Sequence, residues 1–453
     1  MEQNDRLLLR SSPSEDTTPE MGILLGHALA SKFKKVVVGM DLMKSSPMMM
    51  GAVMAGLVSS GVDVVDIGFV SAPVACYAAR KGDCCVYVTE FRQRDLVSGY
   101  LLIGSDGSYM DNDTIRQLDR VITEGYTLPE YKSIGSVKKY YNATMDYNNR
   151  LLSLLKDTGG GSVILDCNCG TATDSAPQIL NSIGTDIISI NAQKDRNFMS
   201  NSLSTKEADI KQMRALVEAN TGSIGISLNR VGSLMRVFDE NGNPVSDEHV
   251  LALLILYLKP SRIVVPMNMS GFIEDVFRGK TGLHVNTPRE DADAEKMKIV
   301  YVRPNASSVH KAMMVNEADI GYYDGGFVFR DVSLGADAIY ASVLLSQFSG
   351  SNSMRDKLGE FQEYYTENKD YKIACTHDDF IRMMNQNSGD VSPTTFYDSG
   401  WWRINMPGGS FSVSFEDETS DIVKVTAESN DKLYLISMIE VIDGLMETCS
   451  AGQ

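Results

Sequence analysis

The stretch Gly225-Ile-Ser-Leu-Asn-Arg-Val-Gly-Ser-Leu-Met-Arg-Val-Phe-Asp-Glu-Asn-Gly242 carries the strongest information about the fold of this chain. Residues 224–229 form a short apolar run, which is typical of a strand that is covered on both faces. A loop over residues 229–234 follows, and a second strand-like segment ends in Asp239-Glu240-Asn241-Gly242, which predicts a turn. The stretch therefore predicts two strands joined by a short loop.

The same kind of strand recurs along the chain and predicts repeated α/β units. Apolar runs at 35–41, 162–168 and 262–268 each lead into a segment with helical periodicity. Each unit has a second strand roughly 50 to 60 residues later, which is the spacing expected of a repeated supersecondary unit. These second strands lie at 86–91, 224–229 and 320–325. The pattern predicts three similar α/β domains.

The C-terminal part follows a different pattern. Segments 401–405, 411–415 and 422–427 alternate like antiparallel strands, and 433–446 has the periodicity of an amphipathic helix. The predicted fold class is thus α/β, with three similar mixed α/β domains and a C-terminal α+β domain. The predicted domains are residues 1–140, 141–245, 246–352 and 353–453, and a run of three glycines (159–161) marks the start of the second repeat.

Composition excludes several classes of function. The chain has 453 residues, a formal net charge of −17 and 43% hydrophobic residues, as in a large globular protein. This charge argues against binding to nucleic acid or to an anionic membrane. No apolar stretch reaches the roughly 20 residues of a membrane span. The N-terminal residues lack the features of a signal peptide, so we expect a cytoplasmic protein.

The seven cysteines do not predict a disulfide framework, because their number is odd and the chain is large. Cys84 and Cys85 lie in a strand, where neighbouring side chains point to opposite faces. Cys167 and Cys169 lack a matching pair of cysteines or histidines at zinc spacing. We interpret them as small core residues.

The order of these domains resembles that of the α-D-phosphohexomutase superfamily, which includes phosphoglucomutase, phosphomannomutase and phosphoglucosamine mutase. The resemblance covers nearly the whole chain and is strongest at residues 18–29 and 45–68. It implies the four-domain phosphohexomutase architecture. It also implies a chemistry in which a phosphoserine exchanges its phosphoryl group with either end of a sugar phosphate. A fold alone does not establish that chemistry.

The resemblance places the phosphoserine loop at residues 89–94, where the family has T-A-S-H-N-P. The serine position is Phe91 and the histidine position is Arg92, while Thr89 is retained. The family's metal loop, D-G-D-x-D-R, falls on 229–234, so its three aspartates become Asn229, Val231 and Ser233. Mg²⁺ needs several hard oxygen ligands. We therefore expect no catalytic serine, no metal site and no cofactor.

The two remaining family loops are altered as well. The sugar-binding G-E-E-S-G-H falls on 321–326, where the glutamates become Tyr322 and Tyr323 and are followed by Asp324. The phosphate-binding R-P-S-G-T-E-P falls on 406–412, with Met406 at the arginine position. Two uses of this segment remain open. Its residues Gly408, Gly409 and Ser410 form either a tight turn between strands or a nest of backbone N–H groups for an anion.

Three arginines complete the candidate ligand-binding residues. Arg92, Arg94 and Arg230 replace small or acidic family residues and would face the cleft that the resemblance implies. They could bind an anion or form ion pairs with acids such as Asp324. In the first domain, Asp41 of a further family segment is retained.

The joint replacement of these residues favours a phosphomannomutase- and phosphoglucomutase-related protein that is catalytically inactive as a mutase. We expect a binding or regulatory role, with a sugar phosphate or an active mutase paralogue as the partner. The alternative is a divergent phosphohexomutase-like enzyme with a rebuilt active site, using Tyr322, Tyr323, Asp324 or the arginines. A third option is a local shift of the alignment to the family, in which Ser98 or Ser105 is the phosphoryl carrier.

Overall fold

The structure is a computed structural model that describes residues 18–92, 96–127, 129–155, 159–197, 207–281, 285–286, 297–392, 395–406, 408–415 and 420–450. The chain forms two compact units. The first unit comprises Glu2–Tyr257 and Gly325–Arg355, and the second comprises Leu258–Asp324 and Asp356–Gln453. Each unit thus combines segments that are distant in the sequence.

The first sheet lies in the first unit and is built around two buried parallel strands. Its elements are α1 (Pro19–Ala30), β1 (Lys35–Met40), α2 (Ser46–Ser59), β2 (Asp63–Phe69), α3 (Ala72–Ala78), β3 (Cys84–Arg92), β4 (Leu96–Gly104), α4 (Asn112–Glu124) and β5 (Val137–Lys139). The strand order is β4-β3-β1-β2-β5, and only β4 runs antiparallel to its neighbour. Every residue of β1 except Lys35 is buried, as expected for a strand covered by helices on both faces.

The second sheet has the same central arrangement. Its elements are α5 (Ala143–Leu154), β6 (Ser162–Asp166), α6 (Ala176–Ser182), β7 (Asp186–Ile190), α7 (Glu207–Ala219), β8 (Ser223–Leu228), β9 (Met235–Phe238), β10 (Pro244–Val245) and α8 (Asp247–Leu258). The strand order is β10-β9-β8-β6-β7, with β6 parallel to both β7 and β8. The strand that follows β6 in the chain, β7, lies on one side of it in the sheet, and the next strand, β8, lies on the other side. In sheets with such a change in strand order, ligands bind beside the strand where the order changes, beyond the carboxyl ends of the strands.

A third set of parallel strands lies in the second unit. Its elements are β11 (Arg262–Pro266), α9 (Gly271–Phe277), β12 (Lys280–Thr281), β13 (Val285–Asn286), β14 (Lys298–Val302), α10 (Ala306–Asn316) and β15 (Ile320–Tyr323). The central strand, β11, is parallel to β14 and to β15. Asn305 precedes helix α10, and its side chain accepts the N–H of Ser308 at 2.7 Å and so caps the helix.

The following segment belongs to the first unit. It contains β16 (Gly326–Phe329), β17 (Ser333–Ala336) and α11 (Ala338–Ser351), and α12 (Met354–Gly359) comes next. β16 and β17 are antiparallel neighbours joined by a short turn. Helix α11 is buried over most of its circumference, which explains why its sequence is apolar on all sides.

The C-terminal segment forms an antiparallel sheet with two helices in the second unit. Its elements are β18 (Tyr365–Lys372), α13 (His377–Val391), β19 (Thr395–Asp398), β20 (Trp401–Met406), β21 (Gly409–Phe415), β22 (Ile422–Ser429) and α14 (Lys432–Ser450). The strand order is β18-β22-β21-β20-β19. The core between this sheet and the helices contains Phe380, Trp402 and Met438. The predicted fold class, with mixed α/β sheets and a C-terminal α+β domain, is confirmed.

Candidate functional site

The loop between β8 and β9 is closed by hydrogen bonds of its own first residue. The side-chain oxygen of Asn229 accepts the N–H groups of Ser233 at 2.9 Å and Leu234 at 3.2 Å. Its amide nitrogen donates to the Ser233 hydroxyl at 3.1 Å. Both polar atoms of Asn229 are therefore used inside the loop. An asparagine that bonds to nearby main-chain N–H groups in this way stabilises a tight turn.

The main-chain oxygens of the same loop accept hydrogen bonds from the first residues of three helical segments. These pairs are Arg230 O with Thr171 N at 2.8 Å, Val231 O with Ala72 N at 2.8 Å, and Gly232 O with Ala338 N at 3.2 Å. The first N–H groups of a helix have no partner inside the helix, so the loop satisfies them. Because Ala72 follows β2, the bond to Val231 also joins the carboxyl edges of the first two sheets.

These contacts decide whether the loop fits a magnesium ion, as the resemblance implies for this position. Val231 has no side-chain donor atom for a metal, and the oxygen of Asn229 already accepts two N–H groups. The carbonyls of residues 230–232 are directed to helix starts. Mg²⁺ demands oxygen ligands in near-octahedral geometry. The residues present do not fit that ion.

Arg230 is held at the carboxyl edge of the second sheet. Its guanidinium donates to the main-chain oxygen of Asp195 at 3.2 Å. A Cβ atom at Gly170 would overlap the main chain of Arg230, so this approach of two loops requires glycine. The nearby Cys169 thiol has a raised pKa, chiefly because of burial, and the positive charge of Arg230 opposes that rise. Arg230 therefore provides a fixed positive charge at the carboxyl edge of the second sheet, where the strand order changes at β6.

Two retained residues lie together at the carboxyl edge of the first sheet. The carboxylate of Asp41 accepts the Thr89 hydroxyl at 2.9 Å, the Ser46 hydroxyl at 2.5 Å and the Met43 N–H at 2.9 Å. Asp41 follows β1 and Thr89 lies in β3, and these strands are neighbours. The sequence indicated that Asp41 and Thr89 are each retained at a family position. It did not indicate that they are in contact, because this contact depends on the pairing of β1 with β3.

The segment that the resemblance assigns to the phosphoserine loop is described in part. Phe91 and Arg92 lie in β3, but their side chains are outside the described residues, and so is the whole of Arg94. The register pairs Glu90 with Ser98. Ser98 therefore lies at the carboxyl edge of this sheet, near the level of Thr89.

Ser105 lies at the opposite end of the same hairpin. The register pairs Cys84 with Gly104, so Ser105 follows β4 at the amino ends of the parallel strands. Seven residues of extended chain separate Ser98 from Ser105, which corresponds to roughly 23 Å. Of the two serines, Ser98 is the one at the same edge of the sheet as Thr89 and Asp41.

The tyrosines that take the place of the sugar-binding glutamates do not face one pocket. Tyr322 and Tyr323 end β15 and are 8% and 6% exposed. The ring of Tyr323 meets that of His310 on α10 edge-on, with centroids 5.3 Å apart. Successive strand residues point to opposite faces, so Tyr322 lies on the face away from α10. Asp324 follows, exposed and with a positive φ of 44°.

The segment that the resemblance assigns to phosphate binding is a hairpin turn. Gly408 lies between β20 and β21, and its carbonyl accepts the hydroxyl of Ser429 at 2.6 Å. Gly409 pairs with both Met406 and Ser429 in the strand ladder. Of the two uses left open by the sequence, the structure has the tight turn.

Ser410 belongs to a buried ion-pair cluster that sequence analysis missed. Its hydroxyl accepts from Arg403 at 2.8 Å and donates to Glu428 at 2.8 Å. Arg403 and Glu428 are 2% and 7% exposed. They are 25 residues apart, and no local pattern in the sequence indicates that they pair.

All five N–H groups of the Arg403 guanidinium have an acceptor in this cluster. The acceptors are Asn405 Oδ1 (2.9 Å), Met267 O (2.9 Å), Met269 O (2.5 Å), Ser410 Oγ (2.8 Å) and Glu428 Oε1 (3.4 Å). Glu428 also accepts the N–H of Gly271 at the start of α9. The cluster thus ties the β11–α9 loop to the C-terminal sheet and leaves Arg403 no donor for a phosphate.

The cysteines are free thiols, and six of the seven are buried. Burial raises the pKa of Cys167 to about 12, and the pKa of Cys169 is also raised, mainly by burial. Since the thiolate is the reactive form, both thiols are protonated near neutral pH. This agrees with their interpretation as small core residues.

Comparisons with known proteins support the resemblance. Residues 9–128 match the family described as phosphoglucomutase/phosphomannomutase, alpha/beta/alpha domain I. A relative from Methanosarcina barkeri, named "Probable phosphoglucosamine mutase", is 26% identical over 94% of both chains. A relative of the same name from Methanocella arvoryzae is 28% identical over 95% of both chains.

A solved structure agrees with the fold. The crystal structure of a phosphoglucomutase/phosphomannomutase family protein from Burkholderia thailandensis superposes with a TM-score of 0.77. The superposition covers 99% of this chain and 98% of the Burkholderia chain, at 19% sequence identity. At this identity the match supports the four-domain architecture and not the chemistry. Within the described residues, no helix is long and apolar enough to span a membrane.

These comparisons contradict the prediction of a catalytically inactive binding or regulatory protein. Relatives that match nearly the whole chain are named as enzymes, phosphoglucosamine mutases. The prediction was wrong because it inferred the absence of activity from the residue types at a few aligned positions. The other hypothesis from the sequence, an enzyme with a rebuilt active site, agrees better with the relatives.

Proposed function

We propose that this chain, which belongs to the α-D-phosphohexomutase superfamily, is an enzyme that moves a phosphoryl group between the two ends of a hexosamine phosphate. The observation that carries this proposal is the match, over 94% of both chains, to a relative named as a phosphoglucosamine mutase. In this proposal, the residues that act differ from those of the family's conserved loops. The reaction class is an intramolecular phosphotransfer on a sugar phosphate.

The proposed phosphoryl carrier is Ser98. Its register position opposite Glu90 supports this role, because it lies at the same edge of the sheet as Asp41 and Thr89. A hexosamine bisphosphate first phosphorylates Ser98. In the first step, the 1-hydroxyl oxygen of a hexosamine 6-phosphate forms a bond to the phosphorus on Ser98 while the bond from that phosphorus to the Ser98 oxygen breaks, and the hydroxyl proton passes to Ser98. In the second step, the Ser98 oxygen forms a bond to the phosphorus at position 6 of the resulting bisphosphate while the bond from that phosphorus to the sugar oxygen breaks, and the Ser98 proton passes to that sugar oxygen.

The proposed stabilising charge is Arg230. A transferring phosphoryl group carries negative charge on its equatorial oxygens, and a fixed arginine can stabilise that charge. Arg230 precedes Val231, whose carbonyl is bonded to Ala72 after β2, so the loop that carries it meets the carboxyl edge of the first sheet. Because residues 229–234 do not fit Mg²⁺, we propose that turnover does not require a divalent cation.

Turnover tests this proposal directly. Purified protein would be mixed with glucosamine 6-phosphate and a trace of glucosamine 1,6-bisphosphate, with and without EDTA, and followed by ³¹P NMR. We expect glucosamine 1-phosphate to appear at similar rates in both samples. Ser98→Ala should lower the rate by about 10⁴-fold or more, as expected when a nucleophile is lost.

Ser105→Ala is the matched control for that experiment. It removes the same hydroxyl from the other end of the hairpin and should leave the rate unchanged. Equal losses in both variants would contradict the assignment of Ser98. Absence of turnover by the wild-type protein, with every hexose and hexosamine phosphate tried, would overturn the proposed function.

A further inference from the structure

Two arginines of the first unit bind the same turn. Arg80 follows α3 and donates to the main-chain oxygen of Val332 at 2.7 Å. Arg150 lies on α5 and donates to the main-chain oxygen of Asp331 through two nitrogens, at 3.0 and 2.6 Å. Both acceptors belong to the turn between β16 and β17, and they are consecutive residues. The two guanidinium groups therefore lie at the same turn, and the charge of Arg150 acts on Arg80.

Each guanidinium is fixed by further contacts. The Nε of Arg80 donates to the Tyr77 carbonyl at 2.8 Å, and its guanidinium carbon lies 3.9 Å from the centre of the Tyr77 ring. The Tyr77 ring in turn meets Tyr147 edge-on. Arg150 is held in its plane by the two bonds to one carbonyl. Stacking and forked bonds of this kind pre-organise an arginine, so little side-chain freedom is lost when a ligand binds.

Among the residues that the structure describes, the two positive charges have no carboxylate partner. In the described part of the chain, neither Arg80 nor Arg150 forms an ion pair with an aspartate or glutamate. The pKa of Arg80 is lowered, mainly by burial and also by the charge of Arg150, which means that the two cations repel each other. This is unusual on a chain with a formal charge of −17. An anion between them would remove the repulsion.

Neighbouring Lys81 provides an internal comparison. Its ammonium group lies 3.0 Å from the carboxylate of Asp146 and 4.2 Å from the centre of the Tyr140 ring. The charge of Lys81 is thus compensated by Asp146, whereas no carboxylate of a described residue pairs with Arg80 or Arg150.

The hydrogen-bond donors of both arginines are only partly used. A guanidinium has five N–H groups. Arg80 and Arg150 use Nε and Nη2 for main-chain carbonyls. Among the described residues, the Nη1 groups have no acceptor. A planar fork with free N–H groups matches the oxygens of a phosphate.

We propose that Arg80 and Arg150 together form a binding site for a tetrahedral oxyanion, either inorganic phosphate or the phosphate group of a phosphomonoester. The site lies at the amino ends of the parallel strands of the first sheet, because Arg80 precedes β3. Thr89 and Asp41 lie near the other end of those strands. Cys84, at the start of β3, and Thr89 are five residues apart in the strand, which corresponds to roughly 17 Å, so the anion site is separate from the proposed site of phosphoryl transfer.

Binding of inorganic phosphate tests this proposal without any measurement of turnover. Isothermal titration would compare phosphate with chloride at matched ionic strength in the wild-type protein. Arg150→Gln and Arg80→Gln should each weaken phosphate binding by at least about tenfold, since each removes one charged fork. Arg116→Gln is the matched control, because Arg116 is exposed on α4 and already pairs with Asp113. It should bind phosphate like the wild type.

Two further variants keep the test decisive if a glutamine variant does not fold. Arg150→Lys keeps the charge but loses the fork, and it should bind phosphate more weakly than the wild type. Asp331→Asn removes an exposed negative charge from the turn that positions both arginines, and it should bind phosphate more tightly. No preference for phosphate over chloride in the wild type would overturn the proposal. Equal affinities for phosphate in Arg150→Gln, Arg80→Gln and Arg116→Gln would do so as well.

The source of the anion follows from a second titration. Glucosamine 6-phosphate would be compared with inorganic phosphate in the wild type and in Arg150→Gln. A component of binding that depends on Arg150 and is tighter for the ester would identify a phosphomonoester as the ligand. A component that depends on Arg150 and is equal or weaker for the ester would identify free phosphate.

Discussion

Both units bury a carboxylate beside a loop that the sequence singled out, but the two carboxylates have different partners. Asp337 in the first unit is 1% exposed and accepts the Tyr147 hydroxyl at 2.8 Å and the Tyr340 N–H at 2.9 Å. Glu428 in the second unit has the guanidinium of Arg403. Neutral donors leave a buried carboxylate costly to ionise, whereas a guanidinium compensates its charge.

This difference shows how the chain supports its two altered loops. Asp337 caps α11, whose first N–H donates to the loop at 229–234. Glu428 binds Ser410 beside the hairpin turn at 406–409. In both places the polar atoms that a ligand could use are bonded to the protein itself. These hydrogen bonds stabilise the fold at both loops. For the proposed phosphoryl transfer they leave the Arg230 guanidinium as the contribution of the loop at 229–234, while the proposed carrier, Ser98, lies on β4.

Of the variants considered, replacement of Arg403 should have the largest effect on the free energy of unfolding. Arg403→Met would leave Glu428 buried without its cation, and we expect a loss of about 3 to 5 kcal/mol in the free energy of unfolding. Urea unfolding of the wild type and the variant measures this loss. The double variant Arg403→Met/Glu428→Met should recover much of the stability, because an apolar pair leaves no buried charge. A double variant as unstable as the single one would contradict this account of the cluster.

The next effect is a dependence of stability on pH that arises from Asp337. Burial raises the pKa of its carboxyl from 3.8 to about 7, against the hydrogen bonds from Tyr340 and Tyr147. The folded state therefore binds more protons than the unfolded state between these two values, and stability falls as the pH rises. Between pH 5 and pH 8 the loss should be about 3 kcal/mol, at 1.36 kcal/mol for each pH unit below the folded pKa.

Asp337→Asn is the control for that prediction. Asparagine is an equally good helix cap and still accepts the Tyr147 hydroxyl, but it does not ionise. The difference in stability between wild type and variant should shrink or reverse toward pH 8. Parallel curves for the two proteins from pH 5 to pH 8 would show that Asp337 does not titrate in this range.

A smaller effect is expected at the loop between β8 and β9. Asn229→Ala removes the acceptor for two N–H groups and should cost about 1 to 2 kcal/mol of stability, because the loop is partly exposed. Asn229→Asp keeps the acceptor oxygens and should cost less. Thermal unfolding of the three proteins measures both values. A larger loss in the aspartate variant than in the alanine variant would contradict the hydrogen bonding described for this loop.

The sequence was sufficient to predict most of the fold. The run Lys35 to Met40 is apolar without alternation, and the structure places it as a parallel strand covered on both faces. β18 was missed, since Tyr365–Lys372 is mostly polar and exposed and has no apolar period of two. Such an edge strand is held by its ladder with β22 and not by its side chains.

The candidate sites were harder to predict, for a physical reason. The loop at 229–234 was located correctly, but its carbonyls bind helix starts at residues 72, 171 and 338, which are distant in sequence. Arg403 and Glu428 come together only through the antiparallel register of β20, β21 and β22. Residue types at aligned positions show which family residues are replaced in a loop. They do not show which residues from distant parts of the chain lie beside that loop in the folded protein.

The most direct test of the central claim is to locate a phosphoryl group on the protein. The wild-type protein would be incubated with glucosamine 1,6-bisphosphate, digested and analysed by tandem mass spectrometry. The account predicts a phosphoserine at Ser98, formed in the presence of EDTA and discharged when glucosamine 6-phosphate is added. Phosphate on Ser105 or another residue, or a protein that remains unmodified, would contradict it.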